Sequence, residues 1–185
     1  MRLRITAGSL KGRYINVPKS DLVRPTTERV RETLFNVLNN KISFEDIKVL
    51  DLYSGSGALG FECLSRGARE IHFVEQNYII YRTLEENIRL LQVTEKCKIF
   101  KIPAIKFSSL KIDDGYDLII ADPPFFKNDI YNVVVNLLKN KYLRSHCSMI
   151  IERSIQTKQK DMDNFKIEPF KIIGDACLYE ITYSN

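Results

Sequence analysis

The chain has 185 residues, of which 44% are apolar and 28% charged, and it carries a net charge of +5. That length suits one domain with its own core, and that balance suits an ordinary globular protein. No stretch approaches the ~18 uninterrupted apolar residues of a membrane-spanning helix, and the opening "MRLRITAGSLKGR" has no apolar core of a secretion signal, so a cytoplasmic location is expected.

The charge is unevenly placed. Residues 1–31 hold eight basic residues (Arg2, Arg4, Lys11, Arg13, Lys19, Arg24, Arg29, Arg31) against two acidic ones (Asp21, Glu28), a net of +6 that leaves the remainder at −1. A basic patch on a near-neutral body is the electrostatic footprint of a nucleic-acid binder. Within it, "LRIT" and "YINV" are expected to pair as a hairpin around "AGSLKG". Pro18 and Pro25 bracket an irregular stretch. "TTERVRETLFNVLNN" then predicts a helix, with Val30, Leu34, Val37 and Leu38 on one face and Thr26 or Thr27 as the N-cap.

After residue 46 strands and helices alternate. "IKVLDLY", "EIHFVEQ", "CKIFKI", "YDLIIAD" and "SMIIERS" read as strands. "GALGFECLSRG", "YIIYRTLEENIRLLQ" and "IYNVVVNLLKNKYL" read as helices, with a short helix or loop near "AIKFSSL". The tail reads as two further strands joined at "GDA". This alternation predicts a mostly parallel seven-stranded sheet with helices on both faces and a mixed edge. Cys63, Cys97, Cys147 and Cys177 are scattered, with no CxxC pair, and His72 and His146 offer no zinc spacing, so reduced thiols and no metal are expected. His72 is read as a structural strand residue and His146 as part of a turn.

"VLDLYSGSGALGFE" places Gly55-x-Gly57-x-x-Gly60 directly after a strand and at the opening of a helix, the context of a nucleotide-type binding loop. Glu75, 24 residues after Asp51, ends the next strand, where an acid accepts hydrogen bonds from ribose hydroxyls. NAD-type and S-adenosylmethionine enzymes share both features. Asp51, four residues before Gly55, favours the latter: a carboxylate there repels a pyrophosphate but suits the ammonium of a methionine moiety.

"YDLIIADPPF" ends a strand with an acid, two prolines and a ring. Prolines stop the strand, since neither has an N–H to donate. Asp122 should then lie at the same sheet edge as Asp51 and Glu75. An exocyclic base amine is a poor nucleophile because its lone pair is conjugated. Two acceptors aimed at its N–H groups, the Asp122 carboxylate and the rigid Pro123 carbonyl, would free that lone pair, while Phe125 stacks a flipped-out base.

Together these stretches resemble the class I, Rossmann-like S-adenosylmethionine-dependent methyltransferases that modify base amino groups. The order "RITAGSLKGRYINVP", "LVRPTTERVRETLFNVL", "DLYSGSGALGFE", "DPPF", covering about residues 2–152, is that of the RsmD-type enzymes, bacterial 16S rRNA methyltransferases acting on N2 of guanine 966. The resemblance implies S-adenosyl-L-methionine as cofactor, bound by Asp51, Tyr53, Ser54, Gly55, Gly57, Glu75 and Ala104. It implies a catalytic set of Asp122, Pro123, Pro124 and Phe125. Arg24, Thr26, Arg29 and Arg31 would face the RNA, with Arg4, Lys11 and Arg13 extending the patch. Such enzymes often carry an Asp or Asn after the third strand for the adenine. Here the stretch is "FKIPAIKF", and the Ala104 backbone takes that place.

Residues 1–40 would be a basic RNA-binding extension and 41–185 the methyltransferase domain. The partner would be 16S rRNA in an assembled or partly assembled small subunit, approached by a monomer. Other readings are a DNA adenine-N6 or cytosine-N4 methyltransferase, for which no target-recognition domain is evident, and a non-catalytic ribosome-assembly factor. An NAD-dependent oxidoreductase is disfavoured by Asp51 and "DPPF".

Overall fold

The computed structural model describes residues 1–18, 28–124 and 128–182; Arg24, Thr26, Thr27 and Phe125 lie outside them. The hairpin forms as expected: β1 (Arg2–Arg4) pairs antiparallel with β2 (Tyr14–Asn16), Leu3 opposite Ile15. Its loop docks on the end of a later helix through Gly8. A Cβ there would stand 1.8 Å from the Ser65 carbonyl oxygen, at a left-handed φ of +78°. Glycine alone permits that approach, and Ser9 N then donates to the Ser65 carbonyl at 2.7 Å while Leu10 N donates to Ser65 Oγ at 2.9 Å.

Helix α1 (Glu28–Asn39) buries Val30, Leu34 and Leu38 as the spacing predicts, but the fourth apolar contact is Phe35 rather than Val37. The face is rotated because Phe35 meets Phe44 (centroids 5.6 Å apart) and the Arg66 guanidinium lies over its ring at 4.2 Å.

The seven-stranded sheet comprises β3 (Lys48–Leu52), β4 (Glu70–Val74), β5 (Cys97–Phe100), β6 (Tyr116–Ala121), β7 (Leu143–Ser154), β8 (Lys171–Ile173) and β9 (Ala176–Thr182), in the order β5-β4-β3-β6-β7-β9-β8. The first five in that order are parallel; β9 runs antiparallel to both β7 and β8. The helices between them are α2 (Ala58–Ser65), α3 (Tyr78–Leu91), α4 (Ala104–Ser108), α5 (Asp129–Lys139) and α6 (Lys158–Phe165). Strand alternation sends side chains to two cores. Val49, Leu118, Ile120 and Ile150 pack with Leu34, Phe61 and Leu84 on one face. Leu50, Ile119 and Ile151 pack with Phe107, Val133 and Leu137 on the other. The expected mostly parallel α/β architecture, covered on both faces, is what forms.

Two features lie outside the sequence reading. Helix α6 ("KQKDMDNF") forms where no element is expected. It is anchored by one buried acid, Asp161, which accepts from Arg153 Nε at 3.0 Å, Tyr131 Oη at 2.7 Å and Thr157 Oγ1 at 2.6 Å. His146 lies within β7 rather than in a turn, in a stretch where pairing with β6 shifts register. His72 is the strand residue expected: its ring sits between Tyr116 Oη (2.8 Å) and Glu70 Oε1 (2.5 Å), and burial lowers its pKa. Cys63 and Cys177 are buried free thiols; Cys97 and Cys147 are half-buried ones. No described helix is long and apolar enough to cross a membrane.

Candidate active site

Three strand ends build the site. Asp51 pairs across to Phe73 of β4 and Ile120 of β6, and Leu52 to Val74 and Ala121. The segments Tyr53–Gly57, Glu75–Asn77 and Asp122–Pro124 therefore leave the sheet side by side, at the carboxyl ends of neighbouring parallel strands. The order reverses at β3, which is where open α/β sheets bind ligands.

The first segment turns sharply. Tyr53, Gly55 and Gly57 have φ of +57°, +55° and +82°. Ser54 holds it to β4: its Oγ donates to the Asp51 carbonyl (2.7 Å) and accepts from Val74 N (2.9 Å). Glu75 holds it from the other side, accepting from Gly55 N (3.2 Å) and Asn77 N (2.7 Å). Asn77 in turn caps α3, accepting from Ile79 N at 2.9 Å. Asp51 lies below the turn, 2% exposed, and its Oδ2 accepts from Gly60 N at 2.9 Å. A Cβ on Gly60 would stand 2.4 Å from the Phe73 ring, so the third glycine of the loop serves close packing of α2 on the sheet. Beyond it, Asn87 of α3 donates to the Ser56 carbonyl (3.0 Å) and the Asn16 carbonyl (2.9 Å), and accepts from Asn16 N (2.8 Å).

The three acids lie close enough to act on one another. Burial pushes the Asp51 pKa well up, the Gly60 amide opposes this, and the negative charges of Asp122 and Glu75 push it further up. Asp122 is half-buried, Pro123 buried and Pro124 exposed. Ala104 begins α4, buried, directly after Pro103 and shortly beyond the end of β5 at Phe100. Burial, then the negative charge of Asp129 of α5, pushes the Tyr53 pKa up.

Glu152 is a neighbour of the candidate site that the motifs do not reveal. It follows Ile151, the partner of Ala121, inside β7, and is 7% exposed. An acid directly after "MII" in a central strand is the one signal the sequence offers. Burial, then the charge of Asp122, hold its pKa well up.

The basic segment divides into exposed and engaged residues. Lys11 and Arg29 are exposed, and Arg4, also exposed, pairs with Glu28 at 3.2 Å. Arg13 is half-buried and caps α3, its guanidinium donating to the carbonyls of Leu91 (3.2 Å) and Leu90. Arg31 departs from the expectation that it faces the RNA. It is 1% exposed, donating through Nε to Glu62 at 3.2 Å and through Nη2 to the Arg4 carbonyl at 2.8 Å. Glu62, fully buried, also accepts from Thr6 N (2.8 Å), Thr6 Oγ1 (3.0 Å) and Arg66. A buried acid on α2 draws the arginine inward, and the result ties hairpin, α1 and α2 together.

The family model "Conserved hypothetical protein 95" matches residues 3–182. The "Ribosomal RNA small subunit methyltransferase D" of Haemophilus influenzae is 35% identical over 156 residues, covering 81% of this chain and 78% of the relative. The protein of that name from Escherichia coli K12 is 34% identical over 177 residues, covering 95% and 87%. This chain belongs to that family, the RsmD-type methyltransferases. Among solved structures, a "putative methyltransferase yhhF" from Escherichia coli superposes with a TM-score of 0.79 at 28% identity, covering 98% of this chain and 99% of that one. The sheet order of this RsmD-type chain is thus that of a class I methyltransferase.

Proposed function

We propose that this chain transfers a methyl group from S-adenosyl-L-methionine to the exocyclic N2 of a guanine in 16S rRNA of the small ribosomal subunit, releasing S-adenosyl-L-homocysteine. The observation that carries the reading is the convergence of Asp51, Glu75 and Asp122 on one sheet edge beside an open glycine turn. The donor set fits the cofactor. Acids suit an ammonium and ribose hydroxyls, and a Cβ added at Gly55 would meet only the Tyr53 carbonyl, at 3.9 Å, so the backbone there is open to a ligand. When bound, the cofactor supplies an electrophilic methyl group on a sulfonium.

Asp51, Tyr53, Ser54, Gly55 and Gly57 would line its methionine side, Glu75 its ribose and Ala104 its adenine. Asp122 and the Pro123 carbonyl would accept from the amine N–H groups, drawing nitrogen toward tetrahedral geometry and stabilising the positive charge that develops there. Pro124 keeps the turn rigid and Phe125 would stack the base. Residues 1–40, with Arg4, Lys11, Arg24, Thr26 and Arg29, would form the RNA-gripping extension on the methyltransferase domain of residues 41–185, while Arg13 holds that extension to α3. The names of the relatives above support rRNA as the substrate; a monomer acting in the cytoplasm on assembled or partly assembled subunits suits so small a basic surface.

The test offers labelled S-adenosylmethionine with unmodified small subunits, protein-free 16S rRNA and duplex DNA, followed by nucleoside identification. Label in N2-methylguanosine from ribosomal substrate is expected, and subunits against free RNA show whether ribosomal proteins present the target. Label in DNA, or none, overturns the reading.

A further inference from the structure

Beside Asp122 stands a second acid for which the transfer chemistry above has no use. Ala121, the last residue of β6, pairs with Ile151 of β7, so Asp122 just past β6 stands level with Glu152, which is still within β7 and pairs with Leu178 of β9. Ile120 and Ile150, two residues earlier, pack into the same core, so alternation sends Asp122 and Glu152 to the same face of the sheet. Glu152 is 7% exposed, and its Oε2 is buried with no hydrogen-bond partner among the described residues. The charge acting on it most is Asp122, of like sign. The next basic side chain, Arg153, points to the opposite face, where Asp161 takes it. A buried acceptor with no donor is costly. Holding one against another acid makes sense where a ligand brings donors.

Bases differ in what flanks the reactive amine. In guanine, N2 adjoins N1–H, so the edge presents donors side by side. In adenine N6 adjoins the acceptor N1, and in cytosine N4 adjoins the acceptor N3. Two neighbouring acceptor oxygens match only the first of these edges. We infer that Glu152 is the specificity-determining residue of this site, accepting the N1–H of guanine while Asp122 engages N2. The inference rests on the guanine-N2 reading above. It adds what that reading lacks, since the Asp122–Pro123 pair alone serves any exocyclic amine.

The test uses the full chain and two versions of the RNA substrate, with guanine or 2,6-diaminopurine at the modified position. Diaminopurine keeps the 2-amino group but turns N1 into an acceptor. Wild-type kcat/KM should fall about 10- to 100-fold on diaminopurine, the scale of removing one charge-assisted hydrogen bond. Glu152→Gln, which can also donate, should lose about 10- to 100-fold on guanine and recover on diaminopurine, while S-adenosylmethionine affinity stays at the wild-type value. Equal activity of the wild type on both substrates overturns the role of Glu152, whether or not the variant folds. So does a variant whose guanine-to-diaminopurine ratio is unchanged. Wild-type label in adenine or cytosine overturns the guanine reading and this inference together, whereas label in guanine with an unchanged ratio overturns the inference alone.

Discussion

In the proposed mechanism Asp122 carries the chemistry, and its position follows from where β6 stops. Two prolines remove two amide donors in succession, so pairing with β3 ends at Ala121 and the next side chain stands at the sheet edge. Its neighbours are Asp51 below and Glu152 beside, and both have raised pKa values with burial as the first cause. Asp122→Ala removes one of two acceptors for the amine but leaves Ser54, Gly55 and Glu75 in place. It should lower single-turnover methyl transfer by about 10²- to 10³-fold, the usual cost of one preorganised electrostatic partner. Calorimetric affinity for S-adenosylmethionine should hold. Transfer at the wild-type rate would remove Asp122 from the mechanism.

At the scale of elements, one buried carboxylate organises the N-terminal third. Glu62 on α2 takes the backbone of the hairpin at Thr6 and the guanidinium groups of Arg31 and Arg66. Glu62→Ala would leave Arg31 with no carboxylate among the described residues. The expected destabilisation is about 3–5 kcal/mol in urea unfolding, as for other broken buried pairs. A value near that of a surface ion pair, under about 1 kcal/mol, would show the network to be replaceable. This network also marks where reading the sequence stops. The glycine turn, Asp51 and Glu75 are legible because their geometry is local: a strand, a turn and a helix start within a few residues. Arg31 is not, because its partner lies a whole strand and turn away and a helical arginine reads as surface. Helix α6 is hidden for a related reason, since its anchor is one acid rather than an apolar stripe. Glu152 is masked by the strand around it, whose apolar run suggests only burial.

Taken as a whole, the molecule separates its exposed positive charge from the acids of the proposed site. The acids cluster at one sheet edge, while Lys11 and Arg29 are exposed on the hairpin loop and α1. If that segment grips phosphates, Lys11→Ala and Arg29→Ala should each weaken RNA binding across sequences. Each should also flatten the salt dependence of log K by about 0.7–0.9 for every phosphate no longer neutralised. Arg13→Ala should differ, since its guanidinium caps α3. It should lower thermal stability with little change in salt slope. Filter binding between low and high salt, beside a thermal melt, separates the two classes; identical slopes for Lys11→Ala and wild type would take that lysine out of the RNA-binding surface.

The side-chain amide of Asn87 serves the hairpin at Asn16 and the glycine turn at Ser56 at once. Three backbone groups, in two segments far apart along the chain, depend on one residue belonging to neither. A single change at Asn87 therefore loosens the arm and the loop together, although the fault lies in neither.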